Sequence, residues 1–146
     1  SQRGGATWEE ISEMKSTHPG KNYGYREMEG PCIRGSKTEC KPNKKFVDPL
    51  YWYEHNEEGD GCVSGGAFIP NGIWPSQYSN KYLFADFIFK TIFLLSKGGD
   101  ACRSCSPPRP EYQKETFKST KDTGQPVQVN ICVPLLCIQY CYFSYN

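Results

Sequence analysis

The sequence predicts an all-β protein whose short strands pair in antiparallel sheets, and three observations support this fold class. Aromatic residues make up 14% of the 146-residue chain, and aromatic side chains favour strands. Four segments rich in aromatic and β-branched residues lie between residues 50 and 95, most of them starting about ten residues apart. The chain also holds 14 glycines and 11 prolines, which supply the turns that many short strands need.

One short helix is predicted near the N-terminal end, over residues 7–14. Thr7 is a candidate N-cap, and Glu9 and Glu10 follow in the first turn, where carboxylates favour a helix. Apolar residues recur there at every third position, namely Trp8, Ile11 and Met14. Because an isolated helix of this length is marginal, it would depend on packing against the rest of the chain.

The next segment, residues 32–48, carries two cysteines in a short basic stretch. Its basic residues are Arg34, Lys37, Lys41, Lys44 and Lys45. We expect a solvated loop that is closed by a disulfide between Cys32 and Cys40. A phosphate- or polyanion-binding patch is the alternative.

Four strands are predicted in the middle of the chain. They cover residues 50–55, 61–69, 81–86 and 91–95. The paired Gly65 and Gly66 in the second strand require a bulge or a close approach of another backbone. Such strands, separated by turns, are typical of an antiparallel sandwich, barrel or propeller.

A buried helix over residues 82–95 is the competing interpretation of this region. Apolar residues recur there at helical spacing, namely Phe84, Ile88, Ile92 and Leu95. Aromatic and β-branched residues dominate the segment, however, and this composition favours strands. We expect no membrane span, because about 14 residues is too short and two charged residues interrupt the segment.

The last part of the chain, residues 98–146, is expected to begin with a loop and to end in strand material. Three prolines follow Cys102-Arg-Ser-Cys105 closely, and they exclude a helix there. Residues 127–137 and 138–145 have the composition of strands. The sequence stops without a closing turn or cap, so we expect residues 1–146 to form one partial domain.

The cysteine content predicts an oxidising location, either extracellular or in the secretory pathway. Eight cysteines with only two histidines favour disulfides over metal sites. No signal peptide opens the sequence, which we interpret as processing or truncation. The formal net charge of +1 provides no global field that would steer nucleic acid to the protein.

Candidate nucleophiles and bases are few, and none forms a complete active site. Ser64 lies outside any Gly-x-Ser-x-Gly motif. His55 follows a predicted strand, and we expect it to be a structural strand-end residue; His18 precedes a proline and is expected in a turn. The acidic run from Glu54 to Asp60 lacks the alternating ligands of an EF-hand loop. We therefore assign no catalytic residue and no metal ligand, and the cofactor-binding residues stay unknown.

The pair Cys102-x-x-Cys105 permits three interpretations. A structural disulfide is favoured. A thioredoxin-type redox pair needs a helix N-terminus to stabilise the thiolate, and none is predicted here. A zinc site would need a second close pair, and Cys132 and Cys137 match that requirement poorly.

Five segments in order resemble one known family. They cover residues 7–11, 22–32, 48–55, 63–69 and 82–87. The series is similar to the C-terminal half of the glucose/sorbosone dehydrogenase family, in which Trp-Glu-Glu-Ile, Asn-Tyr-Gly-Trp, Glu-Gly, Pro-x-x-x-Tyr-x-His, Thr-Gly-Gly and Tyr-x-Phe-x-Asp-Tyr follow one another. The resemblance is clearest over residues 7–97, and residues 98–146 form a divergent tail rich in cysteine and proline.

The resemblance implies a six-bladed β-propeller, of which this chain would supply roughly two blades. It also implies pyrroloquinoline quinone (PQQ) and Ca²⁺ as cofactors, and oxidation of a CH–OH group of a sugar or polyol in the full-length protein. The catalytic histidine of the family lies in blades that this chain lacks, and His55 matches the structural Tyr-x-His. Where the family has a glycine turn, this chain has Phe87–Lys90, and Lys90 receives no role. We expect the chain by itself to be inactive.

The cysteine density is similar to that of a second group, the hedgehog-interacting proteins. They resemble the same propeller with added disulfides, and they bind protein partners without known sugar oxidation. Cys32 and Cys40, placed after Glu29-Gly-Pro31, resemble the cysteine-bearing loop of that group. This likeness implies an alternative function, an extracellular domain that binds a protein ligand.

Overall fold

The structure is a computed structural model that describes residues 7–17, 19–41, 43–55, 61–102, 104–105 and 108–119. Within these residues the chain forms eight strands and one short 3₁₀ helix, η1 (Ser76–Tyr78). The strands are β1 (Trp8–Ile11), β2 (Met28–Glu29), β3 (Cys32–Ile33), β4 (Tyr51–Glu54), β5 (Val63–Phe68), β6 (Tyr82–Asp86), β7 (Thr91–Lys97) and β8 (Tyr112–Ser119). The predicted all-β fold class is therefore confirmed, while the arrangement in propeller blades stays a prediction.

The described residues divide into two compact units. The first holds those of residues 1–60 and 97–113, and the second holds those of residues 61–96 and 114–146. In the described part of the chain, no helix has the length and apolar character needed to cross a bilayer.

The first unit is built on two small antiparallel sheets. Strand β1 pairs with β4, with Trp8 opposite Glu54 and Ile11 opposite Tyr51. Strands β2 and β3 form a tight hairpin in which Met28 faces Ile33. The core of this unit consists of Trp8, Cys32, Cys40 and Trp52. Cys32 and Cys40 form the disulfide that the sequence predicts.

The predicted helix over residues 7–14 is wrong, because Trp8–Ile11 is strand β1. The indole of Trp8 is only 5% exposed, and its Nε1 donates a hydrogen bond to the carbonyl oxygen of Ser36 at 3.0 Å. Tryptophan and isoleucine favour strands, and β4 supplies backbone hydrogen bonds that a helix of two turns could not match in stability. Pairing with a distant strand therefore overrides the local helical pattern.

The second unit contains a four-stranded sheet in the order β5-β6-β7-β8. Strands β6 and β7 form an antiparallel hairpin in which Tyr82 faces Leu95 and Asp86 faces Thr91. This hairpin confirms the two predicted strands and excludes the competing helix over residues 82–95. One buried hydrophobic cluster of the unit consists of Ile69, Trp74, Leu83, Ala85, Ile92 and Leu94.

The glycine pair of β5 occupies an irregular part of the sheet, as predicted. The register between β5 and β6 shifts between Val63 and Gly65, which is the mark of a bulge. A Cβ added at Gly66 would clash with the carbonyl oxygen of Leu83. The absence of a side chain at Gly66 therefore lets the two strands approach.

Strand β8 has no counterpart among the predicted strands. Its sequence, Tyr-Gln-Lys-Glu-Thr-Phe-Lys-Ser, is mostly polar, and only its alternation of half-buried and exposed residues marks it as an edge strand. Phe117 packs against the core of the second unit. The two predicted strands over 127–137 and 138–145 lie outside the described residues.

Candidate functional site

A cleft of about 510 Å³ opens in the first unit beside β4. The loops that form it are tied to each other by backbone hydrogen bonds. Val47 donates to the carbonyl oxygen of Asn22 at 2.8 Å, and Leu50 donates to that of Ile11, also at 2.8 Å. These bonds bring together segments that are far apart in the sequence, so the walls of the cleft have a defined arrangement.

Two aromatic side chains, Tyr23 and Trp52, line the cleft. The indole Nε1 of Trp52 donates a buried hydrogen bond to the carbonyl oxygen of Pro108 at 3.3 Å. The hydroxyl of Tyr23 donates to the carbonyl oxygen of Glu13 at 3.0 Å. Both rings are therefore held by partners elsewhere in the unit, and they provide an apolar surface in a cleft whose rim is charged.

The charged side chains around the cleft balance each other. Three are acidic and three are basic, namely Glu13, Asp48, Glu111, Lys15, Lys21 and Arg109. Lys15 lies 3.5 Å from Glu13 in an exposed ion pair, which water screens strongly. A cleft with this balance offers hydrogen-bond donors and acceptors without favouring a cationic or an anionic ligand.

His55 lies at the end of β4 and contacts β1. Its Nε2 is 2.9 Å from Oε1 of Glu9, and the two side chains are 9% and 19% exposed. Its backbone N–H donates to the carbonyl oxygen of Thr7 at 3.1 Å. This geometry suits a residue that joins two strands, which is the role expected of His55.

The remaining histidine and most of the acidic run receive no structural description. His18 and residues 56–60 lie outside the described residues. Glu54, the first residue of that run, forms an ion pair with Lys37.

Ser64 and Lys90, considered as candidates, occupy structural positions in the second unit. The hydroxyl of Ser64 donates to the carbonyl oxygen of Ala85 at 3.4 Å, across the β5–β6 pair. Lys90 has a positive φ of 50° in the turn between β6 and β7. The structure does not bring either residue to the cleft of the first unit, since both belong to the second unit.

Asp86, at the end of β6, and Lys114, in β8, form a charged pair that no predicted site includes. The fully buried carboxylate of Asp86 accepts hydrogen bonds from the backbone N–H groups of Cys62 at 3.0 Å and Phe89 at 2.8 Å. The Nζ of Lys114 lies 4.4 Å from the ring centroid of Phe93. Burial lowers the pKa of Lys114 to about 8, although the nearby Asp86 acts in the opposite direction. The one sequence signal for this pair is Asp86 itself, a charged residue at the end of the apolar strand Tyr82–Asp86.

The described residues do not fit a Ca²⁺ ion. Nowhere in that part of the chain do three or more His, Cys, Asp or Glu side chains come close enough to hold a metal. Cys102 and Cys105 form a disulfide, as the favoured interpretation predicts. We therefore derive no reaction step through a metal or a quinone.

The cleft residues could not be found by motif, because they come from five separate stretches of the chain and most of them are ordinary surface residues. Comparison with known proteins gives no further assignment: no protein-family model, no curated protein and no solved structure matches the chain.

Proposed function

We propose that this chain is part of a sugar- or polyol-acting protein of the glucose/sorbosone dehydrogenase type, and that the cleft of the first unit binds the sugar or polyol. Oxidation of a CH–OH group, with a quinone as acceptor, belongs in this proposal to the full-length protein. The chain contributes binding surface and is expected to have no sugar or polyol dehydrogenase activity by itself.

The observation that carries the proposal is the composition of the cleft. A sugar is neutral, and it presents apolar C–H faces as well as hydroxyl groups. Tyr23 and Trp52 offer surfaces for the C–H faces, and the balanced rim offers donors and acceptors for the hydroxyls. The cleft volume of about 510 Å³ is within the range of roughly 300–1,000 Å³ that is usual for small-molecule sites.

PQQ and Ca²⁺ enter the proposal through the family resemblance alone. The described residues provide no cluster of carboxylates for Ca²⁺. We therefore assign to this chain only the binding and orientation of the polyol.

A titration of the chain with glucose and with sorbitol, followed by NMR, tests the binding step. We expect saturable shifts of the Trp52 indole signal. Asp48→Asn should weaken binding by about tenfold, because one charge-assisted hydrogen bond is worth about 1.5–3 kcal/mol. The matched control is Glu115→Gln, an acidic residue of the second unit, which should leave binding unchanged. Absence of saturable binding by both polyols would overturn the proposed role of the cleft.

The catalytic part of the proposal is tested on the full-length protein. Supplied with PQQ and Ca²⁺, that protein should reduce a redox dye when a sugar or polyol is added. No dye reduction with any of a panel of sugars and polyols would overturn the enzymatic assignment, even if the cleft binds a sugar.

A protein ligand is the second candidate, and the β2–β3 hairpin favours it. The Cys32–Cys40 disulfide ties β3 of this hairpin to the loop that follows it, and two apolar side chains stay exposed on or next to the hairpin, Ile33 at 49% and Tyr25 at 85%. Large exposed apolar residues are common at protein interfaces. If a hedgehog-type ligand binds the wild type and Tyr25→Ser abolishes that binding, while polyols do not bind, this second function replaces the first.

A further inference from the structure

The Cys102–Cys105 disulfide differs from the Cys32–Cys40 disulfide in its accessibility. Cys32 is 0% exposed and Cys40 is 7% exposed, and both are part of the core of the first unit. Cys102 and Cys105 are half-buried in the segment between β7 and β8, so these two residues are more exposed than the first pair. Accessible disulfides are the ones that exchange readily with external thiols.

The ring that the second disulfide closes is also very small. The two cysteines are three positions apart in the sequence. A disulfide stabilises a protein mainly by restricting the unfolded chain, and this effect is smaller for shorter loops. Reduction of Cys102–Cys105 should therefore cost the fold little.

Arg109 lies against this disulfide and is held there by the backbone. Cys102 and Arg109 exchange two backbone hydrogen bonds, at 2.9 and 2.8 Å. The Nη2 of Arg109 lies 3.7 Å from Sγ of Cys105 and 3.2 Å from Oδ2 of Asp100. Both charged side chains are exposed, Arg109 at 54% and Asp100 at 88%, so solvent weakens their interaction, while the guanidinium stays in contact with the sulfur.

A positive charge at a cysteine sulfur favours the thiolate. Thioredoxin-type sites obtain this effect from a helix N-terminus, which the sequence excludes here because of the prolines after Cys105. Arg109 supplies the charge in place of that helix. The other sulfur, Sγ of Cys102, lies 3.9 Å from the hydroxyl of Ser104. Because Arg109 contacts Sγ of Cys105 and stabilises negative charge there, Cys105 is suited to be the leaving group.

We propose that the Cys102–Cys105 disulfide is a redox site that oxidises dithiols, an activity distinct from the proposed polyol binding. A thiolate of the dithiol attacks Sγ of Cys102, the Cys102–Cys105 bond breaks, and Cys105 leaves as a thiolate beside Arg109. The second thiolate of the dithiol then attacks the sulfur bound to Cys102. This releases Cys102 as a thiolate. Two electrons pass to the protein, the two protons of the dithiol go to the cysteines or to solvent, and the dithiol becomes a disulfide.

The adjoining cleft provides access for the dithiol. Ala101, which precedes Cys102 in the chain, and Arg109, which contacts Sγ of Cys105, both line this cleft. Since the charged residues of the cleft balance, an uncharged dithiol meets no electrostatic barrier. Dithiothreitol, which is neutral, is a suitable probe.

The equilibrium test uses the whole chain in glutathione buffers of graded ratio, followed by acid quenching, alkylation and peptide mapping by mass spectrometry. We expect the equilibrium constant for reduction by glutathione to be at least about tenfold larger for Cys102–Cys105 than for Cys32–Cys40. For a two-electron couple this corresponds to a difference in reduction potential of about 30 mV. Reduction of both pairs over the same range of buffers would overturn the proposal.

Variants of Arg109 and of the cysteines test the mechanism. Arg109→Gln should shift the equilibrium toward the disulfide several-fold and slow the reaction with dithiothreitol, whereas Arg109→Lys should restore both. Arg34→Gln, which removes an exposed arginine next to the first disulfide, is the matched control. In Cys105→Ser, oxidised glutathione should leave a mixed disulfide on Cys102. An unchanged equilibrium in Arg109→Gln contradicts the role of the guanidinium, and wild-type cysteines that stay oxidised in excess dithiothreitol contradict the activity itself.

Discussion

The side-chain carboxylate of Glu10 accepts a hydrogen bond from the backbone N–H of Gly30, with a distance of 2.7 Å between Oε2 and N. This contact joins β1 to the turn between β2 and β3. Gly30 has a positive φ of 55°, and a Cβ at this position would lie 2.7 Å from Cβ of Trp8. The turn can therefore approach β1 only with glycine at its corner, and Glu10 satisfies the N–H that this close packing removes from water.

The first prediction concerns the charge of Glu10. Burial raises its pKa, the hydrogen bond from Gly30 opposes the shift, and the carboxylates of Glu29 and Glu9 add to it. Because the folded pKa is raised, the unfolded chain ionises first, and the protein loses stability as the pH rises above 4.5 through the folded pKa. Glu10→Gln keeps an acceptor oxygen and should lack this loss, as urea unfolding at pH 4 and pH 7 would show.

Glu10→Ala serves as the contrasting variant. It leaves the N–H of Gly30 without its acceptor in a buried place, and this should lower the free energy of unfolding by about 1–3 kcal/mol at both pH values. Equal destabilisation by Gln and Ala would mean that the hydrogen bond does not matter for stability.

The second prediction concerns Lys114, whose ammonium group lies over the rings of Phe93 and Phe89, with Nζ 4.4 and 5.3 Å from the centroids. Its pKa is lowered by burial to about 8, from 10.5 in the unfolded chain. Between these values the unfolded state binds more protons than the folded state, so stability should rise with pH from about 8 upward. The measurement should stay below about pH 10. Burial raises the pKa of Tyr51 and of Tyr82 above the ordinary value of 10.0, so their ionisation in the unfolded chain lowers stability as the pH rises further.

Thermal unfolding between pH 7.5 and 9.5, compared with Lys114→Met, measures this effect. The variant keeps an apolar stem against Phe93 and carries no titrating group. Its melting temperature should therefore rise less with pH than that of the wild type. Parallel curves for the two proteins would contradict a lowered pKa for Lys114.

The third prediction compares two glycines of the second unit. At Gly66 the backbone conformation suits any residue, but a Cβ would clash with the carbonyl oxygen of Leu83. At Gly72 a Cβ would meet nothing within 4 Å, and only the positive φ of 77° opposes a side chain. Gly72→Ala should cost about 1–2 kcal/mol of stability, the usual penalty for a left-handed residue. Gly66→Ala should cost more than that and should disturb the β5–β6 pair in NMR spectra, and an equal cost at both positions would contradict the close approach of the strands.

The sequence predicts most of the strands because their own residues carry the signal. The segments that became β4, β5, β6 and β7 are rich in aromatic and β-branched residues, and Pro and Gly mark the turns before and after β5, although the turn between β6 and β7 has neither. The helix predicted over residues 7–14 failed because Trp8, Ile11 and Met14 fit a helix locally, whereas strand β1 depends on a partner about 40 residues away in the sequence. The local spacing of apolar residues gives no information about a strand so far away in the sequence.

The cleft was less accessible to prediction than the fold. Glu13, Asp48 and Glu111 lie in loops, and no spacing relates them. Nothing in the sequence distinguishes Arg109 from other surface arginines. Its position beside Cys105 follows from its backbone pairing with Cys102, which only the structure shows. What the sequence could supply was the disulfide pairing between near neighbours, because short separations permit few alternatives.

The fourth prediction concerns Trp74 in the core of the second unit. Its indole is 8% exposed, and its Nε1 is buried without a hydrogen-bond partner among the described residues. The ring stacks on Phe117, with centroids 5.7 Å apart, and meets Tyr78 edge to face at 5.8 Å. Loss of ring volume destabilises a core, but removing a buried N–H without a partner stabilises it.

Trp74→Phe should therefore cost less than the truncation of the neighbouring ring. We expect a loss of about 1 kcal/mol or less for Trp74→Phe, against about 2–4 kcal/mol for Phe117→Ala, which removes the contacts of the Phe117 ring with Trp74 and Tyr78. Urea unfolding monitored by circular dichroism gives both values on one scale. If Trp74→Phe instead lowers the free energy of unfolding more than Phe117→Ala does, the indole N–H of Trp74 is hydrogen-bonded in solution, for example to water, and its burial costs little.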